Sequence, residues 1–187
     1  MDGVRLTIPD PGPSDGVVLL RPPTLADVPA IVEACSSGEL ARWLPRLPHP
    51  YTVADAEWWI ATKTDAWRDG GAVGFGIEEL ETRRLVGAIG VAPDARLLGA
   101  ELGWWLAPHA QGRGLMTRAL RLATRWALRD AGLPRLQALI RPSNDRSIAV
   151  AERAGFRREG LLRRALDDRG TARDVLVYGL LPEYELP

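Results

Sequence analysis

Apolar and polar positions along the chain alternate with two different periods, and each change of period marks a boundary. "GVVLLRP" is a short apolar run stopped by Pro22 and Pro23, which predicts a buried strand. Thr24 and Asp27 then open a helix over "VPAIVEACSSG" that Gly38 ends. "ARWLPRLPHPYT" reads as a proline-broken loop, after which Thr52 caps a helix over "VADAEWWIATKTDAWRDGG", closed by Gly70 and Gly71. Two strands follow, "AVGFGIEEL" and "RLVGAIGVAP", joined by a turn at Glu81 to Arg83, and "AELGWWLAP" is a fourth, mostly buried one. The period then becomes helical. Leu115, Met116, Ala119, Leu120, Leu122, Ala123, Trp126 and Ala127 share one face, and Arg118, Arg121, Arg125 and Arg129 turn largely outward until Gly132 and Pro134. "RLQALI" is a strand, "SNDRSIAVAERAG" a short helix, and "FRREGLLRRAL" with "ARDVLVYGLL" a hairpin about "DDRG". Strands packed with several helices predict an α+β fold, a mixed α/β sandwich.

Composition narrows this further. A chain of 187 residues fits one domain with a real core, and no internal repeat divides it. The first 15 residues, broken by Pro and Gly, are expected to be loose, with residues 16–187 forming the domain. No apolar run reaches membrane-spanning length, and the N-terminus lacks the apolar stretch of a signal peptide. The single cysteine, Cys35, excludes an internal disulfide, and with only two histidines a zinc site is not expected. The expectation is a cytoplasmic protein with no metal and no membrane contact. A net charge of zero argues against a general nucleic-acid binder. Residues 1–100 carry 9 basic and 14 acidic groups and residues 101–187 carry 15 and 10, so cationic and anionic ligands could each find a favourable half. Lys63 is the sole lysine among the basic residues.

Candidate chemistry centres on "APHAQGRGLMTRAL", where a glycine-rich turn leads from a strand into a helix. It lacks the third glycine of a dinucleotide fingerprint and the G-K-[ST] of a Walker A loop. What remains is Q-x-x-G from Gln111 to Gly114. Backbone N–H groups of residues 112 to 117 could cradle a pyrophosphate, assisted by the helix dipole and Arg113. The alternative is a connector that only turns the chain.

The blocks "ELGWWLAPHAQGRGLMTRAL", "SNDRSIAVAERAGF", "REGLLR" and "ARDVLVYGLL" occur in the order and spacing of the GNAT superfamily of acyl-CoA-dependent N-acyltransferases. The chain resembles its RimJ/RimL branch, which acetylates N-termini of ribosomal proteins. "LLRPPTLADVPAI", "RWLPRLPHPYTVADA" and "RLVGAIGV" extend the resemblance, which runs from about Val17 to Glu183. It implies a GNAT fold: a mixed, mostly antiparallel central sheet splayed in the middle, with helices on both faces. It implies acetyl-CoA as cosubstrate, with Gln111, Gly112, Arg113, Gly114, Leu115, Met116 and Thr117 on the pyrophosphate loop. Met116 stands where the superfamily's usual pattern has Gly or Ala. By the same resemblance the backbone of Trp104, Trp105 and Leu106 pairs with the pantetheine arm, and Asn144 contacts the pantetheine region.

Direct attack of an amine on a thioester needs one proton removed and one supplied. Glu101, a carboxylate in an otherwise apolar strand, is the candidate base, acting through water, because desolvation would raise its pKa. A structural ion pair is its other reading. Many relatives protonate the thiolate with a tyrosine where this chain has Ala151, so the resemblance points to Ser147 as the acid. Helix capping is the other reading of Asn144 and Ser147. Trp58 and Trp59 read as core plus rim of an acceptor cleft, His109 as a surface imidazole, and Asp174 and Tyr178 as supports of the last strand. The expected acceptor is a protein N-terminal α-amine. The alternatives are a small amine (an aminoglycoside, polyamine or amino-acid derivative) and a module that binds acyl-CoA without turnover. Monomer and homodimer stay open.

Overall fold

The structure, a computed structural model, describes residues 6–94 and 98–184. Its strands are β1 (Val18–Arg21), β2 (Val73–Glu79), β3 (Arg84–Asp94), β4 (Gly99–Leu106), β5 (Leu136–Ile140), β6 (Arg157–Asp168) and β7 (Thr171–Leu180). Its helices are α1 (Val28–Ser36), α2 (Val53–Arg68), α3 (Leu115–Arg125) and α4 (Asp145–Arg153). The strands form one sheet in the order β1-β2-β3-β4-β5-β7-β6. Every neighbouring pair is antiparallel except β4 and β5, which run parallel. The predicted mixed, mostly antiparallel sheet between helices is the observed fold.

Strand alternation sends side chains to opposite faces, so each face has its own core. Phe75, Ile89, Leu102, Leu120, Trp126 and Tyr178 belong to the core under α3 and α4, where Trp126 meets the Phe75 ring edge-on at 5.1 Å. Ile31, Cys35, Tyr51, Ile60 and Leu85 belong to the core under α1 and α2, with Trp59 and Trp105 packed against it. Thr52 caps α2 by accepting from the Asp55 N–H at 3.3 Å, while the Asp55 carboxylate accepts from the Thr52 N–H at 2.8 Å. A triad ties α1 to the sheet. Arg21 grips both Asp27 oxygens at 2.8 Å and donates through Nε to Glu78, and both carboxylates are buried.

The sequence pattern and the structure part company at three places. The helical face expected from Leu115 to Ala127 keeps Trp126 and Ala127 buried, although the helix changes to a π-helical turn at Trp126–Asp130. Before that change Thr124 is buried and Leu122 is only half-buried. Of the segment expected to be loose, residues 1–5 lie outside the described residues. Leu6, however, is fully buried and Asp15 pairs with Arg118 at 2.7 Å, so this segment is tied to the domain at those two points. Trp58 is 68% exposed and belongs to neither core, because α2 turns it to solvent while the adjacent Trp59 faces inward. No described helix is long and apolar enough to cross a membrane. No cluster of His, Cys, Asp or Glu among the described residues could hold a metal.

Candidate active site

The site begins where the sheet comes apart. β4 and β5 pair only at Ala100–Leu136 and Glu101–Gln137. Beyond those positions β4 stays with β3 as far as Leu106, and β5 stays with β7 as far as Ile140. The parting strands open a cleft of about 860 Å³. Trp104, Trp105, Leu106, Gln111, Gly112, Gly114, Leu115, Met116, Thr117, Asn144 and Ser147 all line it. Eleven of the thirteen residues singled out in the sequence are therefore brought together, and Arg113 and Glu101 lie beside the lining.

Gly112 and Gly114 both have φ +76°, a conformation that disfavours any residue with a Cβ, and a Cβ at either position would meet no atom within 4 Å. The turn they form delivers the chain into α3 with its first residues, Leu115 to Thr117, on the cleft wall. The N–H groups of a first helical turn have no intrahelical acceptor, so this end of the cleft suits an anion. The Met116 side chain is 5% exposed and belongs to the core, which leaves its N–H on the cleft side of the turn unobstructed by bulk. That is how a long side chain occupies the position.

The Arg113 side chain, in contrast, leaves the cleft and pairs with buried Glu79, which also accepts from Thr82 Oγ1 at 3.0 Å. Burial alone would push the Glu79 carboxyl up, but the hydrogen bonds from Arg113 and Thr82 outweigh it and hold the group below the usual carboxylate range. The pair moors the glycine turn to the end of β2. Glu79→Ala should therefore raise the acetyl-CoA dissociation constant by about 5- to 30-fold, as the loss of one ordering ion pair implies. Calorimetric titration measures it, and an unchanged constant would mean the turn holds its shape without Glu79.

Gln111 spans the loop by donating through Nε2 to the Leu106 carbonyl at 3.2 Å and accepting from Arg146. Arg146 also reaches Glu39, across the cleft mouth, at 2.8 Å. Asn144 caps α4 through Oδ1, which accepts from the Ser147 N–H at 3.1 Å, so its side-chain NH₂ is the group it can offer a ligand. Capping and a place on the cleft wall thus coincide. Ser147 is half-buried one turn from the cap, and Ala151 is fully buried in the core.

Glu101 sits at the last paired position before the strands part. The residue is exposed, yet local desolvation pushes its carboxyl above the usual range, opposed by a hydrogen bond from Gln137 and by the charge of Arg46. Asp94 adds to the upward push. A carboxylate raised in this way and open to water is suited to taking a proton.

Sequence reasoning missed the arginines around the mouth. Arg141 lines the cleft, packs against the Trp43 ring at 4.6 Å and pairs with Asp168 at 2.6 Å. The partners of Arg141 and Arg146 are 27 to 107 positions away, and no local pattern announces contacts that distant. His109 is exposed. Tyr178 donates to Glu152 at 3.0 Å and Asp174 accepts from the Arg164 N–H at 2.8 Å, both supporting the last hairpin.

Residues 18–157 match the acetyltransferase (GNAT) domain family. The uncharacterized N-acetyltransferase YoaA of Bacillus subtilis (strain 168) is 27% identical over 169 residues, 90% of this chain and 95% of that protein. The ribosomal protein uS5-alanine N-acetyltransferase of Escherichia coli (strain K12) is 30% identical over 115 residues, 60% of this chain and 59% of that one. Among solved structures, Mycobacterium smegmatis RimJ in complex with CoA-disulfide has a TM-score of 0.80 at 30% identity, covering 90% of this chain and 83% of that one.

Proposed function

We propose, for a chain that belongs to the GNAT acetyltransferase family, that it transfers the acetyl group of acetyl-CoA to the α-amine of a protein N-terminus. The observation that carries this reading is the two-pair seam between β4 and β5, which opens a slot ending at the glycine turn and the first turn of α3. A slot between strands suits the amide-bearing pantetheine arm, and the helix end suits the pyrophosphate. The likeness to a uS5-alanine N-acetyltransferase and to RimJ supports a protein N-terminus as acceptor.

Gln111 to Thr117 hold the pyrophosphate by backbone N–H groups, the parted edge of β4 from Trp104 to Leu106 and the Asn144 amide hold the arm, and the thioester lies near Gly103. The neutral amine attacks the thioester carbon. A C–N bond forms, the C–S bond breaks, and coenzyme A leaves as a thiol. Glu101 takes the amine's proton through water, and the Ser147 hydroxyl relays to the sulfur a proton that solvent replaces. An α-amine, with a pKa of about 7.7–8.0, asks little of such a base. Positioning of the two substrates contributes most of the rate.

Thiol release from acetyl-CoA, followed with peptides bearing free N-termini beside polyamines and aminoglycosides, tests the acceptor. Release on peptides, with mass spectrometry placing the acetyl group on the α-amine, is the expected result. Release on small amines alone would move the assignment to them, and binding without release on any acceptor would favour a sensor.

A further inference from the structure

The loop between α1 and α2 joins the two halves of the parted sheet. Its flanking helices pack on β3 and β2, on the near side of the β4–β5 seam. The arginines that tether it come from the far side. Arg141 follows β5 directly, Arg169 lies in the turn between β6 and β7, and Arg146 belongs to α4. The loop contains Pro45, Pro48 and Pro50, which have no N–H to give, and its own turn hydrogen bonds end on the Leu40 and Leu44 carbonyls. The carbonyls of Ala41, Arg42 and Pro45 accept from arginines. Arg169 donates to Ala41 at 3.1 Å and to Pro45 at 3.4 Å, and Arg141 donates to Arg42 at 2.5 Å. Arg146 holds Glu39 at the start of the loop.

Arg141 is the deepest of these tethers. Its side chain is 14% exposed, and Asp168, at the end of β6, pairs with it at 2.6 Å and also receives Arg173 at 3.6 Å. The Arg141 guanidinium lies over the Trp43 ring at 4.6 Å, and that of Arg42 over the same ring at 4.9 Å. Trp43 is therefore fixed by charge as well as by packing. The buried Arg141 Nε has no hydrogen-bond partner among the described residues, a cost that an apolar side chain would avoid. The fold tolerates it at the point where the guanidinium joins the loop to the hairpin.

What the tethers hold is an apolar roof. Leu40, Trp43 and Leu44 line the cleft from the loop, Leu139 and Leu166 line it from the far half, and Gly103 lies on the β4 wall. A thioester reached by bulk water is lost to hydrolysis, and an apolar cover keeps that competitor out. Resting on the reading above, which puts the thioester near Gly103, we infer that Arg141, Asp168 and Arg169 are positioning residues that keep Trp43 and Leu44 closed over it, so that the acetyl group passes to an amine and not to water. When the roof lifts, a water oxygen attacks the thioester carbon, the C–S bond breaks, and acetate and the thiol of coenzyme A leave. The relay water belongs at the Glu101 carboxylate, beside the cleft lining, and the roof governs the solvent that would arrive from the loop side.

Parallel measurement of coenzyme A thiol and of acetylated peptide tests the roof. In the wild type the two should form one for one, with slow thiol release when no acceptor is present. Arg169→Ala removes two tethers at an exposed position, and its acceptor-free release should rise about tenfold, the shift that a hydrogen bond to a charged donor implies. Asp168→Asn should do the same, and Trp43→Ala, which removes the roof itself, at least as much. In each variant thiol should then exceed acetylated peptide. A variant that had merely lost stability would lower both products and keep them equal. Arg169→Lys, which keeps the charge and can reach one carbonyl, should restore part of the coupling. Wild-type product ratios in both Arg169→Ala and Trp43→Ala would overturn the roof and leave N-terminal acetylation standing. So would a wild type that hydrolyses acetyl-CoA as fast as the variants. A calorimetric titration showing that the protein does not bind acetyl-CoA would overturn both.

Discussion

Glu101→Gln is expected to slow acetyl transfer by about 10²- to 10³-fold, the range of a positioned general base, with the acetyl-CoA dissociation constant unchanged. Glutamine keeps the volume and the contact with Gln137 but cannot take a proton. The sign of the pH effect follows from the raised carboxyl pKa. In the wild type two groups must be deprotonated, the acceptor amine and Glu101. Log kcat/KM should therefore climb with a slope of about two below the Glu101 pKa, and of about one from there to the amine pKa near 8. The variant should keep only the amine limb, with a slope of about one throughout, as expected when a single group titrates. Wild-type rates in Glu101→Gln, or the steeper acid limb persisting there, would remove Glu101 from the mechanism. It would then be a structural carboxylate at the seam.

The second large effect is on stability. Arg21→Met should cost about 3–5 kcal/mol at neutral pH, the range for breaking a buried ion pair by removing one partner. Asp27 and Glu78 would keep their burial and lose the guanidinium they share, and Arg83, at 3.2 Å from Glu78, serves only one of them. Burial pushes both carboxyls up, but the hydrogen bonds and charge of Arg21 outweigh it and hold them below their ordinary values of 3.8 and 4.5. A carboxyl depressed by folding contributes stability that is fully present above its unfolded pKa and is lost as pH falls through the folded one. The deficit of the variant should thus be largest near pH 7 and shrink below about pH 4, where protonation relieves its orphaned carboxylates. Urea unfolding at both pH values measures this, and a neutral-pH loss under about 1 kcal/mol would show that the carboxylates find other partners.

How much of this was legible in the sequence depends on the range of each interaction. Thr52, Asn144, Gly112 and Gly114 act within a few residues of themselves, and their roles as caps and turns can be read from local spelling. The strands and the arginine-faced helix follow from period alone. Arg113 illustrates the limit: its place in a glycine-rich loop is readable, but its partner Glu79 lies 34 positions earlier, and the side chain goes to that carboxylate. The inward face of α3 follows the apolar period, except that Thr124 is buried and Leu122 only half-buried, a difference inside the regular helix that precedes the π-helical turn. Trp58 and Trp59 read as core plus rim of a cleft, and local spelling does not tell that Trp58 is the one of the two turned to solvent. Gly74, Gly90 and Gly103 stand opposite one another on β2, β3 and β4, a row invisible in one dimension because they become neighbours only once the strands are in register.

The two-pair seam has a thermodynamic consequence. On the proposed placement of the pantetheine arm, a sheet this briefly stitched in its middle gains a rung from the arm's amides, and the cosubstrate becomes a temporary strand of the fold. Binding and cohesion are then one equilibrium: each micromole of acetyl-CoA that raises occupancy also raises the melting temperature, and each product departure reopens the fabric. Turnover, on this view, is the sheet being mended and unpicked.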